Sequence, residues 1–152
     1  MTRTIDIHTH VLADATIKRL QKEIPQLGLK LTPIDANNAE LEVDDVRYRP
    51  FPRGGHDIAR RFADMDAAEV DMHVLSVAPQ TWAYDQETAI ALAIATIQND
   101  EIARLTREHP DRFAGIAALP MQANRSGYSR VSRAISSFWI VAIAPPPATS
   151  WS

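Results

Sequence analysis

Between Thr4 and His8 the apolar residues Ile5 and Ile7 alternate with Asp6 and His8, and this period of two predicts a short strand. The period then changes. Ile17, Leu20 and Ile24 recur at helical spacing, so a helix is expected from a capping Asp14 through about Ile24. Leu29, Leu31, Leu41 and Val43 alternate around the turn-forming stretch Asp35 to Asn38, which predicts a small hairpin inserted between larger elements. Gly54 and Gly55 interrupt the chain, Asp57 offers a second cap, and Ile58, Phe62, Met65 and Ala68 form an apolar helical stripe. Val70 to Ala78 reads as a second strand, apolar enough to be buried on both faces, and Pro79 ends it. Glu87 to Glu108 carries Ile90, Ile94, Ile97, Ile102 and Leu105 and predicts a long helix, terminated at His109 and Pro110. Phe113 to Leu119 gives a third strand. The order strand, helix, strand, helix, strand indicates a parallel α/β architecture.

The pattern breaks down near the C-terminus. All 19 acidic residues lie at or before Asp111, whereas Ser126 to Ser152 holds most of the serines together with Pro145, Pro146 and Pro147. Residues 1–122 are therefore expected to form the ordered unit and 123–152 an atypical Ser/Pro-rich tail. Phe138-Trp139-Ile140-Val141 is too apolar for a solvated tail. Two readings stay open: a segment disordered or foreign to the fold, even out of its original reading frame, or a further helix, Ser126 to Ser137, followed by an apolar strand.

Composition narrows the chemistry. A net charge of -3 over 152 residues argues against nucleic-acid partners, which call for clustered Lys and Arg. Cysteine is absent, so disulfides, thiolate catalysis and cysteine-ligated metals are excluded, and any metal must be held by His, Asp or Glu. The longest apolar run, Phe138 to Ala144, is too short to span a bilayer, and Met1 to His10 shows no signal peptide, so no membrane partner and a cytoplasmic location are expected. No glycine-rich phosphate loop is present, and Ser76 lacks a nucleophile-elbow context.

His8 and His10, one residue apart at the end of the first strand, project to one side and can converge on one ion. By itself this spacing is a weak signal, since paired surface or core histidines are common. Its place at the C-terminal end of a strand matters more, because parallel α/β enzymes keep catalytic groups there. Arg49 can grip a carboxylate through two parallel hydrogen bonds, or be a solvated arginine beside Arg47 and Arg53. Trp82 and Tyr84 follow Pro79 and offer either an aromatic wall for a planar conjugated acid or simple rim packing. His73, inside a strand, reads as a hydrogen-bonded structural histidine. His56 and His109 read as loop and helix-end residues. Asp6 can orient a ligating histidine from behind, although its expected orientation argues against direct ligation.

Ile5-Asp6-Ile7-His8-Thr9-His10 resembles the metal-binding opening of the amidohydrolase superfamily. Arg49-Pro50, Met65-Asp66, Val70-Asp71, Asn99-Asp100, His109-Pro110-Asp111-Arg112-Phe113 and Leu119-Pro120-Met121-Gln122 extend the resemblance to its aminocarboxymuconate-semialdehyde decarboxylase-like branch. The match covers about residues 3 to 122. It implies a partial (β/α)8 TIM barrel, the first three to four β/α units, with the hairpin decorating the barrel mouth. It also implies that His8 and His10 bind a divalent metal, usually zinc, and that Arg49 binds a substrate carboxylate.

The activity implied is metal-dependent decarboxylation of a small unsaturated or aromatic carboxylic acid. Hydrolysis of an amide, lactone or related carbonyl compound is the alternative. In the family a further histidine and an aspartate from later strands complete the metal site, and another histidine acts as acid/base. No histidine or acid follows Asp111, so the chain is expected to stop before its site is complete. A non-catalytic fragment that self-associates as a homo-oligomer through open sheet edges is the remaining reading.

Overall fold

The computed structural model describes residues 2–120 of the chain. In chain order, β1 (Ile5–Val11) and α1 (Asp14–Glu23) are followed by three strands, β2 (Lys30–Pro33), β3 (Asn38–Val43) and β4 (Val46–Pro52). Then come α2 (Ile58–Ala67), β5 (Met72–Val77), α3 (Thr88–Glu108) and β6 (Phe113–Gly115). β1, β5 and β6 form a parallel sheet in that order, and β2, β3 and β4 form a separate antiparallel sheet. These are consecutive parallel β/α units with a small antiparallel insertion. The expected tail, 123–152, lies outside the described residues, as does the helix expected from Ser126 to Ser137. No helix among the described residues is long and apolar enough to cross a membrane.

The insertion is a three-stranded meander and not a hairpin. Its first turn is built by Asp35, whose carboxylate accepts hydrogen bonds from the backbone amides of Asn37 at 2.7 Å and Asn38 at 2.8 Å. The second turn uses Asp44 and Asp45, both left-handed with φ of 50° and 60°, as a two-residue connection between β3 and β4 demands. Aspartate tolerates that region through its short polar side chain, but Asp-Asp lacks the glycine that usually advertises such a turn.

Two apolar clusters hold the elements together. In the first, Val11, Leu75 and Val77 on one face of the parallel sheet pack against Met65 of α2 and Leu105 of α3. In the second, Leu12 and Ala78, just beyond the C-terminal ends of β1 and β5, share a core with Leu20 of α1, Leu41, Phe51 and Ile94. The antiparallel sheet therefore sits at the mouth end of the parallel strands. Leu41 alone, fully buried there, contributes about 1.5–3 kcal/mol of hydrophobic stabilisation.

Three boundaries or environments differ from expectation. Asp14 does not cap α1: it is the first helical residue, Ala13 precedes it without a side-chain cap, and the Asp14 carboxylate instead meets His56 Nδ1 at 2.8 Å. Asp57 does cap α2, accepting from the Arg60 amide at 3.1 Å. β5 is buried on the helix side only, and its other face is half-exposed, with neighbouring Ile7 on β1 75% exposed, because no described element covers that side. β6 ends at Gly115, although the Ile116 amide still donates to the Leu75 carbonyl at 2.8 Å. Beyond it, Asn99 of α3 takes over, bonding both the amide and the carbonyl of Ala118 at 2.8 and 2.9 Å.

Gly115 allows β6 to lie directly on α3. A Cβ there would come within 2.4 Å of the Ile102 γ2 methyl, a β-branched group with a stiff rotamer on a helix. Gly115→Ala is expected to destabilise the fold by about 1–3 kcal/mol through overpacking. Urea denaturation should show a lower midpoint; an unchanged midpoint would mean that strand and helix separate freely.

Candidate metal centre at the mouth of the first strand

The site begins with an irregularity in β1. Asp6 pairs with His73 and Thr9 with Leu75, so three residues of β1 advance alongside two of β5. The extra residue is a β-bulge, and it reverses the alternation of faces. Asp6 and Thr9 share the helix-facing side, Thr9 and Val11 are buried, and His10 is turned to the opposite face with Ser76. The His8 amide donates to the Asp6 carboxylate at 2.9 Å, so the acid serves the backbone at the bulge and bonds neither imidazole. The two rings lie together, their centroids 5.2 Å apart and their planes nearly perpendicular.

The lone pairs decide whether this pair suits a divalent ion. Ser76 Oγ donates its one proton to the Thr9 carbonyl at 3.0 Å, which leaves the Ser76 hydroxyl oxygen to accept from His10 Nδ1 at 2.9 Å. The Val77 carbonyl, 3.1 Å from Nδ1, is a second acceptor. The hydrogen-bond network thus assigns the proton to Nδ1 and frees the Nε2 lone pair, the arrangement that metal-binding histidines use. Two imidazoles fit two coordination positions. No group of three or more His, Asp or Glu side chains able to hold a metal occurs among the described residues.

The other candidates are distributed around this end. Arg49, on β4, is exposed, and its guanidinium pairs with Glu40 at 3.3 Å. No hydrogen bond or ion pair joins it to His8 or His10. Trp82, 43% exposed, and Tyr84 stand side by side after β5, ring centroids 5.4 Å apart. The loop carrying them is anchored by buried Thr81, whose hydroxyl lies 2.6 Å from Gln98 Oε1 of α3. His56 packs on Phe51, and His109 lies edge-on against the stacked rings of Phe62 and Phe113.

Two residues at the centre were not read from the sequence. Ser76 matters through its register opposite His10, which no local pattern reveals. Arg61, 5% exposed, donates to the His10 carbonyl at 2.5 Å and lies 3.3 Å from His73 Nδ1. It left one legible signal, a charge inside the apolar stripe Ile58, Phe62, Met65 of α2. Burial lowers its pKa to about 10, so it stays charged at neutral pH. Burial and then the adjacent Arg61 charge push His73 below the ordinary 6.5.

These parallel β/α units with their small antiparallel sheet align to part of the TIM-barrel structures of the amidohydrolase superfamily. The chain belongs to that superfamily's amidohydrolase-related, aminocarboxymuconate-semialdehyde decarboxylase-like family. It is 30% identical over 131 residues to 2-amino-3-carboxymuconate-6-semialdehyde decarboxylase of Dictyostelium discoideum, covering 86% of this chain and 36% of the relative. The Caenorhabditis elegans protein of the same name is 28% identical over 121 residues, covering 79% and 30%. The chain thus spans about a third of the length of these relatives. No protein-family model matches it. Among solved structures, 5-carboxyvanillate decarboxylase from Sphingomonas paucimobilis aligns with a TM-score of 0.63 at 24% identity, covering 91% of this chain and 39% of that one. A dihydroxybenzoic acid decarboxylase from a Polaromonas species, with bound manganese and the inhibitor 2-nitroresorcinol, aligns with a TM-score of 0.56 at 21% identity, covering 91% and 36%. These likenesses establish the fold.

The lowered pKa of His73 makes stability depend on pH. An unfolded histidine takes up its proton near 6.5 and native His73 only at lower pH, so the native state is favoured above 6.5 and loses that advantage as pH falls toward the folded value. His73→Gln should remove this component. Urea midpoints measured from about pH 7.5 down to about pH 5 are expected to fall less steeply in the variant than in the unaltered chain.

Proposed function

We propose that this chain supplies the metal-binding first strand and part of the substrate rim of a divalent-metal-dependent decarboxylase acting on a small unsaturated or aromatic carboxylic acid. One observation carries the reading: two adjacent imidazoles at the C-terminal end of β1, with His10 Nδ1 engaged by Ser76 and Val77 so that Nε2 is free. The decarboxylase names of the relatives, and the manganese in one similar structure, support the substrate class and the divalent ion. Zinc is the metal proposed first, because neutral imidazoles suit it.

In this reading His8 and His10 hold the ion, and the ion when bound supplies Lewis acidity toward the substrate. Arg49 binds the substrate carboxylate by releasing Glu40. That exchange is cheap, since Arg49 is exposed, Arg47 stays 3.9 Å from Glu40, and a surface ion pair is worth about 0–1 kcal/mol. Trp82 and Tyr84 present an aromatic surface to a planar substrate.

The purified chain is expected to bind zinc weakly, because two histidines provide fewer ligands than a catalytic site uses. Calorimetry should show this binding abolished in the His8→Ala/His10→Ala variant. Assays with zinc or manganese against unsaturated and aromatic carboxylic acids, with simple amides and lactones as controls, should show little turnover by the chain. Equal zinc binding by the variant, or metal-dependent turnover confined to the amides or lactones, would overturn the proposal.

A further inference from the structure

We propose that Arg61 is a positioning residue for His10, fixing the direction of its imidazole through the backbone. The proposal rests on the metal reading above for its functional meaning, but its geometry stands on the protein's own hydrogen bonds. The peptide preceding the His10 Cα is held at the Thr9 carbonyl by Ser76 Oγ, at 3.0 Å. The peptide following it is held at the His10 carbonyl by the Arg61 guanidinium, at 2.5 Å. With both flanking peptide planes tied, the Cα–Cβ direction of His10 is set, and the Nδ1 contacts to Ser76 and Val77 then set the ring.

A purely space-filling role does not account for Arg61. Its stripe position on α2 faces the cluster of Met65, Leu75 and Val77, where a methionine or leucine would fill volume without desolvating a charge. Its Nε is buried without a hydrogen-bond partner, so the side chain is not placed to satisfy all its donors. The geometry favours two contacts, the His10 carbonyl and His73 Nδ1, which link α2, β1 and β5 at one point. A planar guanidinium can serve both at once; a lysine ammonium is a single-headed charge. Asp6 and Asp64 supply nearby negative charge. The clamp acts just beyond the bulge, which interrupts the regular strand pairing between Asp6 and Thr9.

The test uses the full chain with two readouts. Histidine ring 15N–1H spectra of the metal-free protein report the His10 tautomer, and Co2+ titration followed by visible absorption reports affinity per folded molecule. Arg61→Met is expected to convert His10 from a single Nδ1–H tautomer to an averaged signal and to weaken Co2+ binding about tenfold or more. Met65→Ala, which loosens the same helix without touching His10, should leave both readouts unchanged in the folded fraction. Wild-type behaviour of Arg61→Met in both readouts, or the same changes in Met65→Ala, overturns the proposal. Should Arg61→Met not fold, Arg61→Lys replaces it, and wild-type values in both readouts again overturn the role of the guanidinium fork. Absence of Co2+ binding by the unaltered chain would overturn the metal reading, while the His10 spectra would still decide the part played by Arg61.

Discussion

Between the pairs Asp6–His73 and Thr9–Leu75, β1 contains one residue more than its partner β5, and the geometry of the mouth follows from that excess. A strand's side chains alternate strictly, so one inserted residue exchanges the faces of everything beyond it. Thr9 and Val11 enter the core with Leu75 and Val77, while His10 turns to the open face beside Ser76. Asp6, which a regular strand would place on the histidine side, falls instead on the side of Arg61 and His73. Its carboxylate satisfies the His8 amide at the irregularity.

The same irregularity explains the polar residues beneath an otherwise apolar sheet face. A buried guanidinium is costly to desolvate, by several kcal/mol in order of magnitude, unless its hydrogen bonds are specific. Arg61 meets that requirement with the His10 carbonyl and His73, and so couples the packing of α2 to the backbone of the histidine-bearing strand. Ser76 performs the neighbouring task on the Thr9 carbonyl and on His10 Nδ1. The candidate site is thus held by residues that would never approach the ion.

At the mouth, the antiparallel sheet and the loop after β5 provide the surroundings. Leu41 and Phe51 pack with Leu12 and Ala78, which brings β3 and β4 to the C-terminal ends of the parallel strands. Arg49 rides on that sheet with Glu40 as its partner, and the Thr81–Gln98 contact anchors Trp82 to α3. On the other side, Ile7 and Ile116 are 75% and 52% exposed on the sheet face opposite the helices. That face is apolar, as the inward side of a parallel barrel is.

Periodicity located β1, α2 and α3, and an apolar run closed by Pro79 located β5, because these signals lie within each segment. The resemblance of Ile5 to His10 pointed to the histidine pair. What local pattern could not carry was pairing. The β3–β4 turn is made by Asp44 and Asp45 without glycine, so β4 was missed, and Phe113 to Leu119 looked like a full strand although Asn99 ends the ladder with side-chain bonds. Ser76 and Arg61 gained their places only when β5 and α2 met β1. The sequence by itself determined which residues could ligate an ion and which segments were helix or strand, since residue chemistry and periodicity are local. Only the tertiary structure decided which side chains share a face and which hold His10, because register, a bulge and burial arise where segments distant in the chain come into contact.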